Sequence, residues 1–243
     1  MEWHNGLIIN PGVVVGKATI WVPTDEPAVS FDLFINQKEV LAKALLHSTA
    51  ELESAIASSN ALYSDVVSII FEAHKLMVND PILLEDALAF IDSGLSAYES
   101  YRLAAQKVIA QFMKLRNEYM KNRIVDIEDA TDRVLAAILD VQYEQALQFS
   151  EPRILILPKM KPSVLLNCHA PSVVGFVSAQ GAYDQHSALI ARTKDLPGLI
   201  VNDILQHVKD DDLVLLDADR GIVYLHPTEE FIHTILERKT GIK

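Results

Sequence analysis

His186 stands in the stretch Gln180-Gly-Ala-Tyr-Asp-Gln-His-Ser-Ala-Leu-Ile-Ala-Arg192, where the residue types change from loop to helix. Before it come a β-rich run, Val173 to Ser178, and a turn at Gly181; after it come the helix-compatible Ala188, Leu189, Ile190 and Ala191. An imidazole in that place can carry a phosphoryl group. The N–H groups of a helix's first turn have no intrahelical acceptor, and with the positive end of the helix dipole they favour a dianion. Neutral imidazole is itself a nucleophile near physiological pH. A histidine that does no more than cap a helix fits the same position. Gly181 would let the loop turn tightly. Ser187 either adds a hydroxyl donor beside the backbone amides or is an ordinary first-turn serine.

Two kinds of element must position this loop. From Gln37 to Asn60 the apolar residues Val40, Leu41, Ala44, Leu45, Leu52 and Ile56 mark one face of a helix. A second helical pattern runs from about Asp65 to Val78, and Pro81 starts a shorter helix that ends near Ser93-Gly94. The segments Ala97 to Asn117 and Tyr119 to Gln148 contain neither Pro nor Gly and predict two long helices, so a bundle is the economical arrangement. Pro23 and Pro27 mark one end of the bundle and Pro152 the other. Beyond Pro152 short β-rich runs alternate with helices: Arg153 to Leu157, Val173 to Ser178, Leu199 to Val201, Leu213 to Leu216 and Ile222 to Leu225. The fold class is therefore α/β, with residues 1–25 returning to residues 150–243 and a helical bundle, residues 30–148, inserted between them.

The 243 residues, half of them hydrophobic, suffice for a large core. A net charge of −12 argues against nucleic acid and allows a basic protein partner. No apolar run predicts membrane insertion, and Met1-Glu-Trp-His-Asn5 lacks the design of a signal peptide, so the cytoplasm is the expected location. The single Cys168 has no partner for an internal disulfide, and beside His169 it lacks the further Cys/His pair of a structural zinc site. The pattern contains no P-loop, and no metal site is expected.

Five segments, taken in order, resemble the N-terminal phosphotransfer domain of Enzyme I of the bacterial phosphoenolpyruvate:sugar phosphotransferase system. They are Asn10-Pro-Gly-Val-Val-Val-Gly-Lys17, Phe71-Glu-Ala-His-Lys-Leu-Met-Val-Asn-Asp80, Glu118-Tyr-Met-Lys-Asn-Arg-Ile-Val-Asp126, Pro162-Ser163 with the His186 segment, and Leu213-Val-Leu-Leu-Asp217 with Gly221-Ile-Val-Tyr-Leu-His-Pro227. The resemblance implies a compact phosphohistidine (swivelling) domain carrying the inserted bundle. It also implies phosphorylation of His186 and transfer to and from a histidine of the small phosphocarrier HPr. Carrier docking on the bundle would involve Glu72, His74, Leu76, Met77, Leu115, Arg123 and Asp126. Arg192, six residues after His186, reaches the phosphate or forms a structural ion pair. Phosphoenolpyruvate and Mg²⁺ are expected only with a C-terminal domain, for which a chain ending at Lys243 leaves no room.

Departures from the family pattern keep alternatives open. The usual Gly-Gly-x-Thr-Ser-His reads Gly181-Ala-Tyr-Asp-Gln-His186, which places Asp184 where its carboxylate would repel a phosphate or orient the imidazole. Leu165 replaces a threonine that commonly hydrogen-bonds the histidine, Val67 replaces a lysine, and Pro81 and Ile82 replace two acidic docking positions. His186-Ser-Ala-Leu-Ile-Ala-Arg192 with Leu165 also looks like the Enzyme I-like domain of the dihydroxyacetone kinase phosphoryl donor. A degenerate module that binds a carrier without being phosphorylated is the reading from another class. A swivelling domain of the pyruvate phosphate dikinase type lacks the bundle.

Overall fold

A computed structural model of the chain describes residues 1–21, 35–62, 65–143 and 147–240. The chain divides into two units, one of Met1–Asp25 with Ala146–Lys243 and one of Glu26–Gln145. Pro23 and Pro27 lie outside the described residues.

Three short strands open the chain: β1 (Glu2–Asn5), β2 (Leu7–Asn10) and β3 (Val13–Ile20). The helical unit follows, beginning with α1 (Gln37–Leu62), which buries Leu41, Ala44 and Leu52 at helical spacing. Next come α2 (Asp65–Val78) and α3 (Pro81–Asp92). Asp80 caps α3 by accepting from the amides of Ile82 and Leu83, and Pro81 at the first helical position needs no N–H partner. A capping box between Ser96 and Glu99 starts α4 (Ala97–Met113).

The expected long helix over Tyr119 to Gln148 is absent. Instead there is one turn, α5 (Glu118–Lys121), and a separate helix, α6 (Ile124–Ile138). The Asn117 side chain accepts from Met120 N and restarts the helix, which stops again at Asn122. Beyond α6, Asp140 has φ 56°, a left-handed conformation that ends helices. The propensities of Ala, Leu and Gln lose here to local caps.

The mixed part resumes with β4 (Arg153–Leu157), α7 (Pro162–Leu166), β5 (Val173–Ser178), α8 (His186–Thr193), β6 (Gly198–Ile200), α9 (Ile204–His207), β7 (Leu213–Asp217), β8 (Ile222–Leu225) and α10 (Glu229–Thr240). The strands form one sheet in the order β1-β8-β7-β3-β4-β5-β6-β2. Strands β3, β4, β5 and β6 run parallel to one another, while the pairings β3-β7, β7-β8, β1-β8 and β2-β6 are antiparallel. Ile154 to Leu157 are all fully buried, so both faces of β4 are covered.

The two ends of the strand order meet at Gly6. β1 pairs with β8 and β2 with β6, although only Gly6 separates β1 from β2, so one continuous segment bridges both sheet edges. No side chain fits at that seam: a Cβ on Gly6 would lie 2.6 Å from the carbonyl oxygen of Ile200 and 2.7 Å from Val201 Cγ2. Its amide donates to Gly221 O at 2.8 Å. Gly6→Ala should therefore lower unfolding stability by about 1–3 kcal/mol through overpacking against rigid backbone. Urea unfolding checks this, and an unchanged midpoint would mean the seam opens without strain.

Candidate functional site

The loop that carries His186 leaves the carboxyl ends of parallel strands, the place where open α/β sheets bind ligands. Ala179 N donates to Leu157 O at 2.7 Å and Val201 N to Ser178 O at 2.9 Å, tying the end of β5 to β4 and β6. The Ser178 hydroxyl donates to Gln180 O at 2.7 Å, and Met160 N donates to the same carbonyl at 3.3 Å. Gly181 follows with φ outside the left-handed region, so its freedom to turn is not what the site uses. It is needed for space, since a Cβ there would sit 2.9 Å from Met160 Cε.

Gln185 then closes a turn from both ends. Its amide donates to Ala182 O at 3.3 Å, while its side-chain oxygen accepts from Ala182 N at 3.2 Å. With its side chain engaged there, Gln185 is the N-cap of α8 but makes no capping hydrogen bond. His186 is the first residue of the helix, half-buried, with Nδ1 shielded from solvent. Ser187 is fully buried, and its hydroxyl has no hydrogen-bond partner. Arg192 donates from Nη1 to Tyr183 O at 3.0 Å and lies 4.3 Å over the Tyr183 ring. It braces the loop through a carbonyl and an aromatic face, not through the expected ion pair. Asp184 is exposed on the same turn.

Gln185 and Tyr183 were not singled out by sequence. A glutamine is a poor N-cap, and that mismatch was the available signal.

Behind the loop, α7 packs against α8, with Leu165 fully buried. The apolar residue thus has a packing role of its own. Lys194, the C-cap of α8, donates to Leu166 O at the end of α7. Burial lowers the Lys194 pKa to about 8, opposed by the charge of Cys168, and burial raises the Cys168 thiol to about 12. His169 is lowered, first by burial and then by Lys194.

In the helical unit the positions expected at a docking surface separate into two groups. Leu76 is 73% exposed on α2, on the same face as Glu72 and Ile69, and Glu72 pairs with Lys75 at 3.1 Å. Leu115 is partly exposed and Met77 half-buried. His74 and Asp126 belong to the interior instead: His74 is 1% and Asp126 0% exposed. The imidazole of His74 lies 3.6 Å from Asp126 and 3.9 Å from Asp129, with its ring edge-on to Phe71. Arg123 is held 3.5 Å from Asp126 and 4.5 Å over the Tyr119 ring, leaving little of it accessible. Helical periodicity gave these polar residues no inward direction, because amphipathic patterns assign polar groups to the outside. Ile69 is the exposed apolar residue that the motif did not include.

Two family models match the chain: PEP-utilising enzyme, N-terminal, over residues 5–123, and PEP-utilising enzyme, mobile domain, over residues 149–221. The chain belongs to the PEP-utilising enzymes. His186 falls within the mobile-domain match. The phosphoenolpyruvate-protein phosphotransferase of Buchnera aphidicola subsp. Baizongia pistaciae is 25% identical over 242 residues, a match covering 97% of this chain and 42% of that protein. The protein of the same name from Priestia megaterium is 31% identical over 238 residues, covering 93% and 40%. The chain thus spans about two fifths of these relatives' length. Among solved structures, the solution structure of an Enzyme I protein (nEIt) matches with TM-score 0.71, 25% identity and 98% coverage of both chains. The N-terminal domain of Enzyme 1 (Nitrogen) matches in fold with TM-score 0.60 at 21% identity, covering 98% of this chain and 99% of that one.

The depressed Lys194 pKa has a signed consequence. The unfolded chain holds the Lys194 proton up to its ordinary value of 10.5 while the folded chain releases it near 8, so the unfolded state binds more protons between those values. The Lys194 contribution to stability therefore rises as pH increases through 8. Denaturant unfolding of wild type and Lys194→Met from pH 7 to 9 should show wild type gaining relative to the variant; a pH-independent difference would mean that the amine keeps its ordinary pKa.

Proposed function

We propose that this chain transfers a phosphoryl group through His186 to and from a histidine of a small HPr-like phosphocarrier protein, as part of a phosphoenolpyruvate-dependent phosphotransferase system. The observation that carries this reading is the position of His186 as first residue of α8, beyond the carboxyl ends of β4 and β5, on a helix start that receives no side-chain cap. Such a start presents amides and a positive dipole to an anion.

With Nδ1 shielded, the attacking atom is Nε2. Its lone pair forms the new N–P bond in line as the carrier's N–P bond breaks, and that electron pair returns to the carrier imidazole. The transition state is loose, so positioning and charge outweigh covalent assistance. The buried Ser187 hydroxyl, which costs about 1–3 kcal/mol when left unpaired, gains an acceptor in a phosphoryl oxygen. Gly181, Gln185 and Arg192 hold the loop in shape, and Asp184 places a solvated negative charge beside it.

The docking surface of this reading is the α2 face bearing Leu76, Glu72 and Ile69, flanked by the half-buried Met77, with Leu115 as a further contact. Arg123, Asp126 and His74 support that surface from within. Phosphoenolpyruvate and Mg²⁺ act, in the same reading, through sequence outside this chain. No helix among the described residues is long and apolar enough to cross a membrane, which agrees with a cytoplasmic site of action. The burial of Leu165, on a helix that packs against α8, removes one motive for reading the chain as a degenerate module.

Incubation with phosphorylated carrier should produce an acid-labile, base-stable phosphohistidine that His186→Ala abolishes while its circular dichroism stays unchanged. Phosphate on His169, or phosphate retained in the variant, would reassign the site. Leu76→Asp should weaken carrier binding by about 2 kcal/mol, the scale of an interface hot spot, without lowering the melting temperature. Calorimetric titration with carrier decides this, and unaltered affinity would move the docking surface elsewhere.

A further inference from the structure

Glu2 and His4 are two residues apart on β1, so the alternation of a strand sends both side chains to one face. His207, the last residue of α9, meets them there. Glu2 Oε1 lies 3.2 Å from His4 Nε2 and 3.0 Å from His207 Nδ1, and one ligand atom from each of the three residues falls within 4.8 Å of the others. The two rings are tilted at 44° with centroids 4.3 Å apart.

These contacts have the lengths of hydrogen bonds but not the directions. His4 Nε2 is buried and has no hydrogen-bond partner, although a carboxylate oxygen sits 3.2 Å away. The approach misses the angle that an N–H donor requires. Donor atoms pointing at a common centre have this geometry. Tetrahedral zinc, with bonds of about 2.0–2.2 Å, sets neighbouring ligand atoms roughly 3.3 Å apart. The remaining nitrogen of each ring faces a second carboxylate: Asp203 Oδ2 is 3.4 Å from His207 Nε2 and Oδ1 is 3.9 Å from His4 Nδ1. A carboxylate behind each ligating imidazole fixes the ring's tautomer and orientation, as at many metal sites.

We propose that Glu2, His4 and His207 bind one divalent transition-metal ion, Zn²⁺ by donor type, with Asp203 positioning both imidazoles. Two imidazoles and a carboxylate suit zinc and leave a fourth position for solvent. The ion joins β1, which pairs with β8, to α9, which follows β6, and so clamps the same seam that Gly6 closes. Its role is structural. The site is independent of His186 and does not rest on the phosphotransfer reading.

Calorimetric titration of the full chain with ZnCl₂ tests it, alongside thermal unfolding with and without Zn²⁺ or a chelator. One equivalent should bind and raise the melting temperature. His4→Gln, His207→Gln and Glu2→Gln should each weaken binding by 10-fold or more, whereas His233→Ala on α10 should leave it unchanged. Circular dichroism confirms that the variants fold, and Glu2→Gln at an exposed side chain retains the test if a histidine variant does not. Absence of binding, or equimolar binding that survives both His4→Gln and Glu2→Gln, overturns the proposal.

Discussion

The parallel pairing of β3 with β4 is the constraint on which the α/β unit depends. Lys17 to Ile20 lie in register with Arg153 to Ile156, while residues 21–152 leave and return between them. Loop closure over that length costs entropy that grows only slowly with length, so the pairing needs strong local support more than a short connection. It has such support. Lys17 N donates to Pro152 O at 3.1 Å, Lys17 and Arg153 both meet Glu151 Oε1 at 2.9 Å, and Arg153 reaches Ala18 O at 3.3 Å and also pairs with Asp211. The apolar side chains of both strands enter one cluster with Val177, Leu199, Val214 and Leu216. With β3 fixed between β4 and β7, the order β4-β5-β6 follows, and the His186 loop emerges where those strands end.

The helical unit is organised by a different means. Helix α6 packs against α1, α2 and α4, and it buries Asp126, Asp129 and Arg133 as well as its apolar residues. Arg133 meets Glu51 on α1 at 3.1 Å, its carbonyl accepts from Ser48, and Tyr143 donates to Asp129 at 2.6 Å. Desolvating several charges rarely adds net stability compared with apolar packing, but removing one partner leaves a costly buried charge. Such a network constrains which helix faces which. It explains why His74 and Asp126 stand in a motif that reads as a docking surface: they hold α2 against α6, and the exposed Leu76 and Glu72 depend on that placement.

Much of the fold was legible because each layer had its own period. The runs Arg153 to Leu157, Val173 to Ser178 and Ile222 to Leu225 are bounded by turn residues and became β4, β5 and β8 at those limits. Pro81 and the Ser93-Gly94 stop likewise bounded α3. The helix expected from Tyr119 to Gln148 failed because propensity carries no information about an Asn cap or a left-handed Asp140. Strands β1 and β2 were equally hidden, since their partners β8 and β6 lie about 200 positions away in sequence. At the helix start, the change from loop to helix at His186 was readable in sequence, while the contacts of Gln185, Tyr183 and Arg192 emerged only from the structure. The meeting of Glu2 and His4 with His207 had no sequence signal, because metal-ligand spacing is readable only within a local motif.

The helix start at His186 shows how a local mismatch serves the site. Serine, threonine, asparagine or aspartate at the N-cap turns its oxygen back onto the helix amides and competes with any anion for them. Gln185 has a longer side chain, and here its oxygen goes to Ala182 N, upstream of the helix. The loop is thereby stiffened by the very group that would otherwise have occupied the helix start. Arg192 acts in the same sense, since its guanidinium is engaged with Tyr183 O and the Tyr183 ring and so tightens the turn. On the proposed function, oriented backbone dipoles and the Ser187 hydroxyl then meet the anion at the helix start. Such dipoles are oriented before the phosphoryl group arrives and need no reorganisation when it leaves, which suits reversible transfer between two histidines.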